Sequence, residues 1–430
     1  MLGLNYKLLQ LEENGKHIMT SIVGAGQMGR GMVGQIMSMK GMHPAVVVDI
    51  NVENAINAYK HAGLKEGDFV VANTISEAND LLAKGKYIVT DNPEIATKTD
   101  LIDCAVDATG VPEVGAKVAI DSINAGKHIV MLNVEADVCI GPMLYKMANS
   151  AGVVYTGSAG DEPGAVLEMY DFADALGFDV RVVGKGKNNK VDKTSNPDTV
   201  LEEATKKGVS PKMLTSFKDG TKTMVEMTAM SNATGFLPDI MGAHGAKGIV
   251  SELPDLFRLK SEGGILNNYG IIDYIDGVAP GVFIIISTEQ PDIIHELNYL
   301  SMGKGPNYVL YRPYHLCSLE TPLSVAKAVL DGIPTIAPRK GLVSETITVA
   351  KRDLTAGEYL DGIGGFTIYG SFEQAAVAKE KDALPMGIVN KKTKMIKDVK
   401  KGEIITYGDV ALDNDSLMVQ LRKIQDTLYL

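Results

Sequence analysis

The chain has 430 residues, enough for two or three domains, with 45% hydrophobic and 22% charged residues, the proportions of a soluble globular protein. A formal net charge of −11 argues against nucleic acid or an anionic membrane surface as the main partner, while leaving room for a local basic pocket that takes an anionic substrate. Cys104, Cys139 and Cys317 show no C-x-x-C spacing and read as buried or free thiols in a reducing compartment.

In chain order, segment 1–13 is acidic and amphipathic; it reads as a helix and not as a signal peptide, and the expected location is cytoplasmic. An apolar run, His17 to Val23, then enters Gly24-Ala25-Gly26-Gln27-Met28-Gly29, a helical pattern, and a second apolar run, Ala45 to Val48, that ends in Asp49. Strand, G-x-G-x-x-G, helix, strand, acid is the dinucleotide-binding pattern in its proper context. Gly24 permits a tight bend, Gly26 lets backbone amides approach a pyrophosphate, and Gly29 lets the helix pack close to the strand. The free N–H groups of the helix start, Gln27 and Met28, face the phosphates, and Asp49 is placed to accept bonds from ribose hydroxyls.

Strand and helix patterns alternate to about residue 160, which predicts a parallel doubly wound sheet. Helices are expected over 51–62, 112–125 and 140–151, and strands over 101–107, 129–133 and 153–156. Thr109-Gly110 and Asn133-Val134-Glu135 fall at the carboxyl ends of strands, where such sheets bind ligands. Glu135 suits a proton transfer or a metal, whereas Asp137 fits a helix cap or surface acid better. Gly157-Ser158-Ala159-Gly160-Asp161-Glu162-Pro163-Gly164 sets three glycines and two acids before a helix over 164–176, a place where backbone could approach a ligand and Asp161 or Glu162 could hold a divalent cation; helix capping is the competing reading.

Beyond residue 157 the pattern becomes α+β. A strand over 179–183 is followed by Gly184-Lys185-Gly186-Lys187-Asn188-Asn189-Lys190, read as a cationic turn that binds a phosphate or polarises a carbonyl, with a solvated turn as the alternative. A helix is expected over 222–232, strands over 283–287 and 308–311, and a helix over 321–332 that packs back on the first domain. Glu226, Asn232, His244, Lys247, Arg312 and His315 are scattered, so only folding could gather them. The last segment echoes itself: Asp353-Leu354-Thr355-Ala356-Gly357-Glu358 matches Asp398-Val399-Lys400-Lys401-Gly402-Glu403, each a tight turn between short β-prone runs. The expected division is therefore 1–160, 161–344 and 345–430, the last a small all-β module.

Val106-Asp107-Ala108-Thr109-Gly110 with Ala125 to Glu135 resembles the nucleotide-binding half of homoserine dehydrogenases, and Ala350 to Glu358 resembles the SAF module of sialic-acid synthases and antifreeze-type proteins. Together with Gly184 to Asn189, the whole chain resembles the DRL family of reductoisomerase-like oxidoreductases. That resemblance implies NADPH-dependent conversion of 1-deoxy-D-xylulose 5-phosphate to 2-C-methyl-D-erythritol 4-phosphate. The chain departs from the Asn-Lys pair of related enzymes, since Val134 follows Asn133, so the lysine's role falls to Lys185 or Lys187. Gly160-Asp161-Glu162-Pro163 stands where classical reductoisomerases carry an Asp-Ser-Glu metal motif.

The expected function is an isomerising reduction by a homodimer acting on a phosphorylated hydroxyketone. Lys185, Lys187, Glu135, Asp161 and Asn188 are the catalytic candidates. Gly24, Gly26, Gln27, Met28, Gly29, Asp49, Thr109, Gly110 and Asn133 are the cofactor candidates, and Asp161 and Glu162 the ligands for Mg or Mn. Asp49 repels a 2′-phosphate and favours NAD, whereas the resemblance implies NADP, with Arg30 or Asn51 available to the phosphate. A plain dehydrogenase of a homoserine-like or polyol substrate, and a nucleotide-sensing or sugar-binding protein without turnover, are the alternatives.

Overall fold

The computed structural model describes residues 3–429, so Met1 and Leu2 of the expected first helix lie outside the described residues. The chain divides into two compact units, one running to Gly164 and including Leu316–Ala337, the other made of Ala165–His315 and the segment from Pro338 onward.

The first unit is built on β1 (Ile18–Val23), β2 (Met42–Val48), β3 (Phe69–Val71), β4 (Tyr87–Thr90), β5 (Cys104–Asp107), β6 (His128–Met131) and β7 (Tyr155–Gly157). They form one sheet in the order β3-β4-β2-β1-β5-β6-β7, and every pairing is parallel. The central strands β1, β2 and β5 are rich in Val, Ile and Ala and almost wholly buried, as a helix-covered parallel sheet requires. Helix Gln27–Met37 buries Met32, Val33 and Ile36 in a core shared with Ile18, Ile22 and Val47, and helix Thr321–Asp331 adds Val325 and Ala326 to it. From β1 the chain goes first to one side, through β2, and later to the other, through β5. The crevice past the carboxyl ends of β1 and β5 is thus the topological switch point of the sheet.

Residues 63–98, which the sequence pattern left unassigned, hold β3, helix Ile75–Leu82, β4 and helix Pro93–Lys98. Their local signals were present: Thr74 and Asn92 cap the two helices, accepting from the N–H groups of Glu77 and Glu94.

The second unit holds β8 (Asp179–Lys187), β9 (Ile271–Asp276), β10 (Val282–Ser287) and β11 (Asn307–Arg312) in the order β11-β10-β8-β9, with β8 and β9 parallel and the other pairs antiparallel. Helix Thr221–Thr234 covers one face through Met224, Met227 and Met230, against Val183, Ile272 and Ile284. The other face packs Val182, Ile271, Phe283 and Ile285 on Leu253, Phe257 and Leu266. The strand expected to end at residue 183 runs on to Lys187.

The C-terminal segment contributes β12 (Ser344–Ala350) paired with β13 (Ile368–Gln374), and β14 (Lys394–Met395) paired with β15 (Val410–Ala411). It is not all-β as expected, because helices Ala375–Glu380 and Leu417–Tyr429 belong to it. The expected boundary at 344 is bridged within the unit. Asn232 Oδ1 accepts from the N–H groups of Val343 (2.8 Å) and Ser344 (3.0 Å), and Lys351 Nζ donates to Asp219 Oδ2 at 2.8 Å, both partners buried. Such buried polar ties hold β12 to the helix beneath it.

The echoed turns meet. Leu354 and Val399 exchange N–H···O bonds of 2.9 and 3.0 Å. Asp398 Oδ1 accepts from Ala356 N at 2.8 Å, and Asp353 Oδ1 accepts from Lys401 N at 2.9 Å. Gly357 N donates to Met395 O, and Gly402 N donates to Ala350 O. Each bond in one half has its counterpart in the other at the same spacing, so the two halves are related by a local two-fold.

Candidate active site

The glycine turn after β1 divides the labour of its glycines clearly. Gly24 has φ +100°, and a Cβ there would stand 2.8 Å from Ala108 O. A Cβ on Gly29 would overlap Gly24 O. Both positions are closed by the protein itself. Gly26 has φ −66° and no described atom within 4 Å of a Cβ built there. It is the N-cap of helix Gln27–Met37, which has no side-chain cap among the described residues and no acid in its first turn. Gly26, Gln27 and Met28 are exposed, so the helix start offers uncapped N–H groups and a positive dipole end to open space. These residues fit a dinucleotide pyrophosphate.

Asp49 braces the turn: Oδ2 accepts from Ala25 N at 2.8 Å, and Oδ1 accepts from Asn51 N at 3.0 Å and Asn54 Nδ2 at 3.1 Å. The carboxylate is therefore held beside the glycine loop, with lone pairs to spare for a ribose hydroxyl.

Asp107, not singled out by sequence reasoning, organises the other side of the crevice. It is fully buried at the end of β5, and accepts from Thr109 N (3.1 Å), Thr109 Oγ1 (2.7 Å) and Asn133 Nδ2 (3.0 Å). It thereby brings Thr109 and Asn133 together and fixes the backbone that leads to Gly110. Burial raises its pKa, against the pull of these hydrogen bonds. Only its place as an acid closing an apolar run could have flagged it.

Asn133 caps helix Val134–Ala151, so Asp137 is not the cap that the sequence suggested. Asp137 instead accepts from Tyr155 Oη at 2.8 Å, and burial pushes its pKa up to about 6. Glu135 is half-buried in the first turn of the same helix. The folded protein therefore retains a proton on Asp137 that the unfolded chain releases near its ordinary value. This contribution is full below about pH 4 and is lost as pH rises through about 6. Asp137→Asn is expected to flatten the fall in stability between these pH values by about 1–3 kcal/mol. Urea midpoints of both proteins at pH 4 and pH 7 check this; equal slopes would contradict it.

The glycines around Asp161 serve packing, not ligand approach. A Cβ on Gly157 would lie 2.8 Å from Ile336 Cγ2, one on Gly160 would overlap Cys317 O, and one on Gly164 would overlap Ser158 O. Ser158 Oγ and Thr321 Oγ1 lie 2.8 Å apart, and Ala159 N donates to Ser324 Oγ at 2.8 Å, which pins the turn. Asp161 is buried and Glu162 half-buried, side by side where this turn enters helix Glu162–Ala175.

Lys185, Lys187 and Asn188 lie in the second unit, and the other expected site residues lie in the first. Gly184 to Lys187 of the expected cationic turn belong to a buried strand, whereas Asn188 to Lys190 lie beyond its end and are exposed or half-buried. A Cβ on Gly184 would run into the Phe283 ring, and one on Gly186 into the Ala279 backbone, so these glycines admit neighbours instead of cradling a phosphate. Lys185 pairs with Glu226 on helix Thr221–Thr234, both buried. Lys187 Nζ donates to Asn189 Oδ1 at 2.6 Å and Phe217 O at 2.8 Å, and Asn188 is exposed.

Of the scattered residues, Glu226 joins this cluster. Asn232 is a structural tie, Lys247 is exposed, and Arg312 reaches Glu168 at 3.5 Å while lying 4.6 Å over the Tyr314 ring. His244 Nε2 sits 2.8 Å from Asp239 Oδ2, and Asp239 also accepts from Asn267 N at 2.8 Å. His244 N donates to the buried Asp273, whose pKa burial raises to about 6.

Residues 160–321 match the family model described as oxidoreductase DRL, catalytic domain. The chain is an oxidoreductase. The matched span takes in Asp161 and Glu162, Lys185 and Lys187, Glu226 and His244. No curated protein matches the chain in sequence. Among solved structures, a scyllo-inositol dehydrogenase from Lactobacillus casei, with bound NAD(H) and scyllo-inositol, aligns at 11% identity over 76% of this chain and 93% of its own, with a TM-score of 0.41. A myo-inositol dehydrogenase from Corynebacterium glutamicum aligns at 12% identity over 74% of this chain and 89% of its own, with a TM-score of 0.40. Among the described residues, no helix is long and apolar enough to cross a membrane.

Proposed function

We propose that this oxidoreductase is NAD(P)H-dependent and carries out the isomerising reduction of a phosphorylated hydroxyketone, 1-deoxy-D-xylulose 5-phosphate giving 2-C-methyl-D-erythritol 4-phosphate. The observation that carries the cofactor half is the uncapped helix start beside Gly26 at the switch point of a parallel sheet. The match of residues 160–321 to the DRL catalytic domain supports the reaction half.

Bound in the crevice, a reduced nicotinamide supplies hydride. The chain's own residues do the rest. Gly26, Gln27 and Met28 hold the diphosphate, Asp49 receives the ribose, and Thr109, Gly110 and Asn133 shape the opposite wall. Within the second unit, Lys185, paired with the buried Glu226, is the candidate to polarise a carbonyl; within the first, Glu135 is the candidate to move a proton. Two adjacent carboxylates, Asp161 and Glu162, suit a hard divalent ion such as Mg or Mn, which would supply Lewis acidity to adjacent oxygens. A SAF-like role for the C-terminal segment and a homodimeric assembly belong to the same proposal.

A second reading, dehydrogenation of an unphosphorylated polyol without rearrangement, gains from one observation. Lys185 and Lys187 are engaged inside the protein and are not displayed to a phosphate. The deciding assay follows reduced-nicotinamide absorbance with 1-deoxy-D-xylulose 5-phosphate, with and without a divalent ion. Metal-dependent oxidation of NADH or NADPH is expected; no oxidation of either removes the isomerising reading.

Cofactor preference turns on one charge. A carboxylate at Asp49 repels a 2′-phosphate, and the bond from Ala25 N keeps it in place. Asp49→Asn retains an acceptor for that N–H while removing the charge. It is expected to shift the ratio of NADPH to NADH affinity by about tenfold or more in favour of NADPH. Fluorescence titration of both reduced nucleotides measures the ratio, and an unchanged ratio would place the ribose elsewhere.

A further inference from the structure

We propose that a cavity of about 700 Å³ in the second unit binds a phosphate monoester of a small polyol, its phosphate held by Lys190 and Lys193 and one wall supplied by Ser371 of β13. The volume falls within the range of small-molecule sites. Met224 gives the cavity an apolar patch, and His244 and Tyr274 bring an imidazole and a hydroxyl to its wall.

The charges are arranged asymmetrically. The acids in the wall are held by hydrogen bonds from the protein, and Asp219 is also paired with a lysine. Asp219 accepts from Lys351 Nζ at 2.8 Å and from Thr221 N at 2.9 Å. Asp192 accepts from Thr194 N (2.9 Å), Thr194 Oγ1 (2.6 Å) and Ser195 Oγ (3.1 Å). The lysines are not so committed: among the described residues neither Lys190 nor Lys193 enters an ion pair, and Lys193 Nζ lies 5.3 Å over the Tyr369 ring. With Asp219 paired to Lys351, two ammonium groups stand at an open cavity against one remaining carboxylate, Asp192, and the net positive charge suits an anionic phosphate.

The polyol half of the ligand follows from the rest of the lining. His244 Nε2 is occupied by Asp239, which fixes the ring, and the Tyr274 hydroxyl is held neutral by burial, which raises its pKa to about 12. Both are groups that recognise hydroxyls, not further charge. The arrangement also moves the phosphate-holding role from Lys185 and Lys187, whose ammonium groups are engaged in the interior, to the next two lysines along the chain. Ser371 lies outside the span matched to the catalytic domain, so the ligand would join that span to the C-terminal segment. Naming this ligand as the substrate rests on the proposed function; the binding itself does not.

Isothermal titration of the full chain with ribose 5-phosphate, ribose and inorganic phosphate tests this. Ribose 5-phosphate is expected to bind, with ribose and inorganic phosphate each weaker by about tenfold or more. The double variant Lys190→Gln/Lys193→Gln is expected to weaken ribose 5-phosphate by about thirtyfold or more, with thermal midpoint and NADH affinity unchanged. No binding of ribose 5-phosphate at millimolar concentration, or equal binding by the double variant, overturns the proposal. Inorganic phosphate binding as tightly as the sugar phosphate overturns its polyol half. Failed turnover with intact binding removes the isomerising reaction and leaves the cavity; turnover with binding unchanged in the double variant does the reverse.

Discussion

Gly26→Val is expected to give a folded protein that no longer binds NADH or NADPH, with affinity down by about a hundredfold or more, whereas Gly29→Ala is expected to unfold more readily and lose binding only as a consequence. The contrast follows from where each Cβ would go. At Gly26 the backbone lies in a region open to any residue, and no described atom stands within 4 Å of the new carbon. The added branch therefore costs the fold little. It intrudes where the helix start presents its free N–H groups, the space a diphosphate must enter to be bonded. At Gly29 the carbon meets Gly24 O inside the turn, so helix and strand must separate, and the core around Ile22, Met32 and Val33 opens with them. That is overpacking without a flexible neighbour to yield, a loss of about 1–3 kcal/mol or more. Thermal midpoints and nucleotide titrations of the two variants separate the effects. A Gly26→Val protein that binds NADH as well as the parent would remove the nucleotide from this crevice.

The buried pair of Lys185 and Glu226 yields the second large effect. Both side chains are almost wholly excluded from solvent, at 4% and 2% exposure. Lys185→Met strips a buried carboxylate of its counter-ion and is expected to cost about 3–5 kcal/mol. Lys185→Met combined with Glu226→Met removes both charges at similar volume and is expected to recover most of that loss. Stability alone would then depend little on the charges at this position. If Lys185 polarises a substrate carbonyl, the stable double variant should still turn over more slowly by a factor on the order of a hundred or more. Denaturant titration and turnover of the single and double variants form the test. A double variant with both stability and turnover restored would reduce the pair to scaffolding.

The parallel-sheet half was legible because each of its signals is local. A glycine turn, flanking apolar runs and an acid at the proper distance are all contained within 17–49, and the sheet places them together at β1 and β2. Misreadings arose where glycine has two causes. In Gly184 to Lys190 it resembled a flexible turn, but the structure uses it to admit the Phe283 ring and the Ala279 backbone beside a buried strand. The same holds at Gly157, Gly160 and Gly164, whose neighbours come from Ile336, Cys317 and Ser158. A lysine in a buried strand contradicts the usual pattern unless its partner is known, and Glu226 arrives from 41 positions away. Sequence ranks His244 low, as a lone histidine, because its orientation by Asp239 and its setting beside the buried Asp273 arise only on folding.

The twinned turns at Gly357 and Gly402 are mutually dependent. The N–H groups of Ala356 and Gly357 end on Asp398 and Met395, and those of Lys401 and Gly402 end on Asp353 and Ala350. A polypeptide carrying one such repeat alone would hold the complement of itself, ready to associate with an identical molecule. Joining two repeats in tandem replaces that encounter by an internal one, and its strength no longer depends on protein concentration.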